Sequence, residues 1–241
     1  MKYMNGSLAL VGSGEYLPTM AEFEKSLISD GISNGLKPTY IQIPTAAGQE
    51  SEARLNYWKQ LGKAQADLIG ATQLFLPIYT REDSNNLEYA GQIKDASLIY
   101  ISGGDPHYLA DCLINTPVWS AILANWQQGG SLAGCSAGAM VLSSQIPHFR
   151  LSRNKPTPGL NLIPNIRVIP HFSKFFKWIP EGAAKVLLNL EGDVILIGID
   201  ELTAVVRRSG QELWQVYGQS KLHILKGLPE RQLVNGETIK F

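Results

Sequence analysis

The chain has 241 residues with equal numbers of acidic and basic side chains, and only 17% are charged, so there is material for a sizeable core and disorder is not expected. A net charge of zero gives no basic footprint for nucleic acid, and no apolar run approaches the length that spans a bilayer. The start shows no charged-then-apolar leader, and one of the two cysteines, Cys112 and Cys135, closes an expected buried strand. Free thiols in a reducing, cytoplasmic setting are therefore expected.

Along the chain, short apolar, β-favouring runs alternate with longer amphipathic stretches. Strands are expected at Leu8 to Val11, Thr39 to Ile43, Gln73 to Leu76, Leu98 to Ile101, Ser131 to Ala133 and Arg167 to Ile169. Helices are expected at Met20 to Ser29, Glu50 to Leu68, Pro106 to Leu113, Val118 to Gln127 and Lys174 to Leu190. The last fifth changes character: Val194 to Ile199, Ala204 to Arg207, Leu213 to Tyr217 and Lys221 to Leu225 are short strands around Gly-containing turns. The fold expected is a single α/β domain over residues 1–241. It is a doubly wound, mostly parallel sheet with helices on both faces and an antiparallel C-terminal extension on one edge.

Ligands bind at the carboxyl ends of strands in such a sheet. The turns there are Gly12-Ser13-Gly14-Glu15, Pro44-Thr45-Ala46, Ser102-Gly103-Gly104-Asp105, Cys135-Ser136 and Pro170-His171. The segment Gly130 to Met140, GSLAGCSAGAM, sets Ser136 in a Gly-x-Ser-x-Gly frame behind a small, apolar strand, the pattern of a nucleophile elbow. Small neighbours are needed because the turn strains the serine and brings helix and strand almost into contact. The same residues also suit a Gly/Ala-rich strand-to-helix turn without chemistry.

A serine hydroxyl needs a base. Of the four histidines, His171 stands at a strand end, His107 follows the Gly-Gly-Asp turn as a candidate substrate contact, His148 is in a loop and His223 lies in the late strands. Position favours His171. The Gly103-Gly104 step can aim backbone N–H groups into the crevice and, with Ala137, form an oxyanion hole; a positive-φ turn or an anion-binding nest explains it equally. Gly12-Ser13-Gly14 lacks the third glycine of a dinucleotide fingerprint.

With the elbow, the Gly-Gly-Asp turn and the Pro-His-Phe segment in hand, the chain resembles the serine-peptidase family that contains dipeptidase E and cyanophycinase, built on the class I glutamine-amidotransferase-like fold. The segments GSGE, IPTAAGQE, LPIYTREDSN, ISGGDPHYL, AGCSAGAM, GLNLIPNIRVIPHF and GIDELTAV follow the family's order and approximate spacing over most of the chain. The resemblance implies Ser136 as nucleophile, His171 as base, and Gly104 with Ala137 as oxyanion donors. Amidotransferases carry cysteine at the elbow, whereas here Cys135 is one place early, which disfavours glutamine hydrolysis.

One departure concerns the third triad member. The family's characterised branches draw an acid from between nucleophile and histidine, yet residues 137–170 contain none, and Ser173 stands where an amidotransferase has glutamate. The expected substitute is Glu201, with Asp200 beside it and Asn154 as alternatives; a turn residue in a structural ion pair is the competing role for the two acids. The named relatives act on small aspartate-containing peptides, whose recognition calls for a cation such as Arg150, Arg153, Lys155 or Lys174. An arginine in the substrate would instead meet Glu15, Glu50 or Asp105.

The function expected is a serine peptidase-like hydrolase that cleaves an amide or isopeptide bond in a small, Asp-containing peptide. Ser136, His171 and Glu201 are the catalytic candidates, and Asp105, His107 and Glu15 the substrate-binding ones. The alternatives are a weak or inactive member that binds a small ligand in the same crevice, or an amidotransferase-like subunit. Neither metal nor cofactor is called for, no nucleic acid or membrane partner is expected, and the chain is read as a monomer or homodimer.

Overall fold

A computed structural model describes residues 5–147, 156–174 and 193–241. Its strands are β1 (Leu8–Val11), β2 (Lys37–Ile43), β3 (Thr72–Phe75), β4 (Ala96–Ile101), β5 (Ser131–Cys135), β6 (Gln145–Ile146), β7 (Thr157–Pro158) and β8 (Ile166–Ile169), then β9 (Ile195–Ile199), β10 (Thr203–Arg207), β11 (Leu213–Gly218), β12 (Leu222–Lys226), β13 (Arg231–Leu233) and β14 (Thr238–Lys240). The helices are α1 (Ala21–Ser33), α2 (Glu52–Leu68), α3 (Arg81–Asn85), α4 (Leu87–Gln92), α5 (Pro106–Leu113), α6 (Pro117–Gln127) and α7 (Ala137–Val141). The helix expected from Lys174 to Leu190 lies, beyond Lys174 itself, outside the described residues.

The main sheet has the order β14-β11-β10-β1-β5-β4-β2-β3. Pairing is parallel from β1 through β3 and antiparallel from β1 outward through β10, β11 and β14. Alternation along each strand builds the core on two sides. In β1, Leu8 and Leu10 join one apolar cluster while Ala9 and Val11 join the other, and Ile99 and Ile101 separate from Leu98 and Tyr100 in β4 in the same way. Helices α1 and α2 cover one face through Phe23, Leu27 and Ala66, and α5, α6 and α7 cover the other through Leu109, Ile122 and Val141. Connections running from β1 toward β3 therefore lie on one face and those returning to β5 on the other. A consistent right-handed crossover requires that arrangement.

The C-terminal strands do not all extend one edge. β10, β11 and β14 add antiparallel to β1, but β9 pairs in parallel with β8 and antiparallel with β12 in a second sheet of order β13-β12-β9-β8. Periodicity marks a strand without naming its partner, which is why the sequence alone did not separate the two sheets. The short helices α3 and α4 and the small β6–β7 hairpin were also not expected. α3 begins with a capping box between Thr80 and Asp83, a signal that was present in the sequence. Among the described residues no helix is long and apolar enough to cross a membrane.

The result for the site is simple. β5 sits between β1 and β4, so the turns after these three strands share one edge of the main sheet. The second sheet delivers the residues after β8 and β9.

Candidate active site

Ser136 follows β5 directly and opens α7 with φ +52° and ψ −112°, a strained conformation for a residue with a Cβ. It is held from both sides. Its N–H donates to the Val11 carbonyl at 2.9 Å, and its own carbonyl accepts from the N–H groups of Ala139 and Met140. The two glycines of the motif allow the close approach: a Cβ on Gly134 would lie 2.3 Å from the Gly138 carbonyl oxygen, and one on Gly138 would lie 2.2 Å from that of Ile101. The Gly-x-Ser-x-Gly frame is thus required by strand–helix packing.

Ser136 Oγ lies 3.1 Å from His171 Nε2, and His171 Nδ1 lies 3.4 Å from Glu201 Oε1. His171 stands just past β8 with φ +50°, so the serine and the histidine both occupy left-handed backbone. Glu201 follows β9 by two residues and leads into β10, crossing from the second sheet to the main one. Lys174, three residues after His171, places its Nζ 2.7 Å from the same Glu201 oxygen. Burial works against the charge on Glu201, but the Lys174 ammonium and the adjacent His171 imidazole hold its carboxyl below the usual carboxylate range. An ionised carboxylate only accepts hydrogen bonds, so the nitrogen facing it carries the proton and Nε2 is left to accept from the Ser136 hydroxyl.

Asp200, the neighbouring alternative, points elsewhere. It is buried and its Oδ2 accepts from Ser220 Oγ at 2.8 Å, the Lys221 N–H at 3.2 Å and His223 Nε2 at 3.1 Å. The other alternative, Asn154, lies outside the described residues, as do His148, Arg150, Arg153 and Lys155.

The Gly-Gly turn divides its two amides. The Gly103 N–H donates to Glu15 Oε1 at 3.0 Å, while Gly104, at φ +142°, packs against the Ala46 carbonyl so closely that a Cβ would lie 2.2 Å from its oxygen. Glu15 Oε2 accepts from the Cys135 thiol at 3.2 Å. Burial first, and the Glu15 carboxylate second, push that thiol well above its ordinary pKa, the reverse of what a cysteine nucleophile needs. Glu15 Oε1 and Ser136 Oγ both come within 3.5 Å of one point, the place a Cβ on Gly103 would occupy.

Asp105 caps α5, its Oδ1 accepting from the N–H groups of His107 and Tyr108. His107 Nδ1 lies 2.7 Å from Thr157 Oγ1 and ties α5 to β7. Sequence reasoning had offered Lys174 as an aspartate-binding cation and had not linked it to Glu201, and it had also missed the Asp200–His223 pair. The three-residue step from His171 to Lys174 was the one available hint of the first. The second joins residues 23 positions apart and left no local signal.

The chain belongs to peptidase family S51, a family of serine-type peptidases, whose family model matches residues 8–213. A cyanophycinase from Trichormus variabilis is 28% identical over 205 residues, covering 79% of this chain and 64% of that protein, so the chain spans under two thirds of that relative's length. A solved peptidase from an acI-B1 Actinobacterium is 66% identical with a TM-score of 0.97, covering 100% of this chain and 99% of that one. A putative peptidase E protein from Listeria monocytogenes EGD-e shares the fold at 20% identity and a TM-score of 0.65, over 90% of this chain and 100% of that one.

Proposed function

We propose that this chain is a serine hydrolase that cleaves an amide or isopeptide bond in a small peptide through an acyl-enzyme on Ser136. The observation that carries the reading is the continuous relay from Ser136 Oγ through both nitrogens of His171 to Glu201. It supplies a nucleophile, a base and an orienting acid without an acidic residue between Ser136 and His171.

In the first half-reaction His171 Nε2 takes the hydroxyl proton as Ser136 Oγ bonds to the scissile carbonyl carbon. Glu201 stabilises the imidazolium that forms. Negative charge gathers on the former carbonyl oxygen, where the N–H groups of Gly104 and Ala137 are the proposed donors, the Gly103 amide being engaged by Glu15. The C–N bond breaks as the imidazolium returns its proton to the leaving amine, and Ser136 keeps the acyl group as an ester. Water then attacks that ester with His171 again as base, releasing the acid and restoring the serine hydroxyl. The strained backbone of Ser136 holds Oγ clear of the helix for both attacks.

The resemblance to dipeptidase E and cyanophycinase makes aspartate-containing peptides the first substrates to try. Lys174 is engaged by Glu201, so a substrate carboxylate binding there competes with Glu201 for the ammonium. Glu15 Oε1 and Ser136 Oγ flank the same point beside Gly103, while Asp105 and His107 shape the start of α5.

Fluorophosphonate labelling read by peptide mass spectrometry tests the proposal without a known substrate. Label is expected on Ser136 and is lost in Ser136→Ala and His171→Ala. Asp-containing dipeptides and isopeptides follow. A folded wild-type protein that takes no label and cleaves none of them overturns the reading.

A further inference from the structure

Five residues close a ring behind the relay. His171 is bonded in the chain to Phe172, and the Phe172 ring packs on the His223 ring at 4.5 Å between centroids. His223 Nε2 meets Asp200 Oδ2 at 3.1 Å, Asp200 is bonded in the chain to Glu201, and Glu201 Oε1 returns to His171 Nδ1. We infer that Asp200 and His223 are positioning residues, a second acid–imidazole pair that fixes the distance and orientation between Glu201 and His171; the inference rests on the relay proposed above.

Three features of the ring support it. First, strained backbone lies at one relay member and directly after another, and both places need outside support. His171 has φ +50° and Leu202, directly after Glu201, has φ +52°. Conformations of this kind are strained and persist where the surroundings over-determine them. Second, the surroundings do so. Phe172 fills the space over Gly198, where a Cβ would come within 2.4 Å of its ring, so Phe172 lies against β9 on one side while His223 covers it as well. Around Glu201, the Asp200 N–H donates to the Lys221 carbonyl, the Gln219 N–H to the Leu202 carbonyl, and Thr203 Oγ1 to the Glu201 carbonyl. Third, Asp200 is an expensive residue for a turn. Its side chain is 5% exposed, three donors converge on Oδ2, and Oδ1 is buried with no hydrogen-bond partner among the described residues. Burying a carboxylate costs free energy unless it is paired and hydrogen-bonded, and one half of this one is not. An apolar turn residue would avoid that cost but would leave His223 without its acceptor.

Geometry explains why a second pair is needed. Glu201 is partly exposed and shared with the flexible Lys174 side chain, so its carboxylate has a choice of partner. Anchoring the adjacent residue at Asp200 limits that choice from the backbone side. Packing Phe172 on His223 limits the imidazole from the other.

The test uses Asp200→Ala, Asp200→Asn and His223→Phe. The amide keeps an acceptor for His223, and phenylalanine keeps a ring against Phe172 while removing the donor. Two readouts are taken on protein whose folding is confirmed by thermal unfolding. The ¹⁵N shifts of His171, assigned through His171→Ala, report the ring tautomer, which a purely structural role would not move. Fluorophosphonate kinetics separate the inactivation rate from initial binding. The Nδ1–H form is expected to dominate in the wild type. In Asp200→Ala and His223→Phe a mixed tautomer is expected, with an inactivation rate about tenfold lower at unchanged initial binding, and Asp200→Asn restores most of it. His223→Phe leaves the carboxylate in place and decides the matter if Asp200→Ala does not fold. An unchanged His171 tautomer and unchanged inactivation rate in a folded Asp200→Ala or His223→Phe protein overturn the inference. Failure of the wild type to label would instead count against the hydrolase reading, and the tautomer measurement would still decide the positioning role.

Discussion

Glu201→Gln is the exchange that tests the relay most directly, because it preserves the size of the side chain and removes its charge. The amide can still offer an oxygen to His171 Nδ1–H, so the experiment isolates the electrostatic contribution to the imidazolium. Two unit charges about 4 Å apart attract by about 4 kcal/mol at an effective dielectric near 20 and by about 1 kcal/mol in water. The Glu201–His171 contact of 3.4 Å falls between these limits, since the two side chains are 30% and 43% exposed. Lys174, at 2.7 Å from the same oxygen, takes a share of the carboxylate's field. We therefore expect a loss of about 2 kcal/mol in the transition state, roughly thirtyfold in rate, against about 10⁴ when a buried triad acid is neutralised. The rate of fluorophosphonate labelling at Ser136, followed by intact-protein mass spectrometry at neutral pH, measures it. A rate within twofold of wild type refutes Glu201 as the orienting acid. A loss as large as that of His171→Ala refutes the screening that lowers the figure.

Two further outcomes follow from the interior and from the turn. Glu24 is buried with its carboxylate bonded to Tyr40 Oη at 2.8 Å and Gln65 Nε2 at 3.1 Å, and burial raises its pKa from 4.5 to about 7. The folded chain therefore holds a proton that the unfolded chain has released, so stability falls as pH rises from about 4.5 to about 7 and is level above, by roughly 3 kcal/mol in all. Urea unfolding at pH 5 and pH 8 should show that difference in the wild type and lose it in Glu24→Gln; equal slopes in both proteins would exclude the assignment. Gly104→Ala places a Cβ 2.2 Å from the Ala46 carbonyl oxygen at a φ of +142°, so the turn must shift. A stability loss of at least about 2 kcal/mol is expected, with labelling of Ser136 reduced further than unfolding explains. Normal labelling in a folded Gly104→Ala protein would remove that turn from the oxyanion hole.

What could be read from residues alone was whatever depends on neighbours in the chain. The short, continuous apolar runs Leu8 to Val11 and Leu98 to Ile101 marked strands, and the small residues around Ser136 marked a turn packed against its own strand. Their order, with the ordered family segments, pointed to Ser136 and His171. Partnership across the chain was not legible. Arg167 to Ile169 and Val194 to Ile199 read as strands, but only tertiary structure pairs them in a second sheet, because a hydrophobic pattern specifies a buried face and not the strand beside it. The same limit applied to the acids. Asp200 and Glu201 are adjacent and both follow the same strand, so sequence alone left them as alternatives with Asn154. A strand's side chains alternate, and the turn after β9 sends Glu201 toward His171 and Asp200 toward His223. Chemistry-bearing residue types were thus determined locally, while their division into a relay and a buried support was decided by two sheets meeting at one loop.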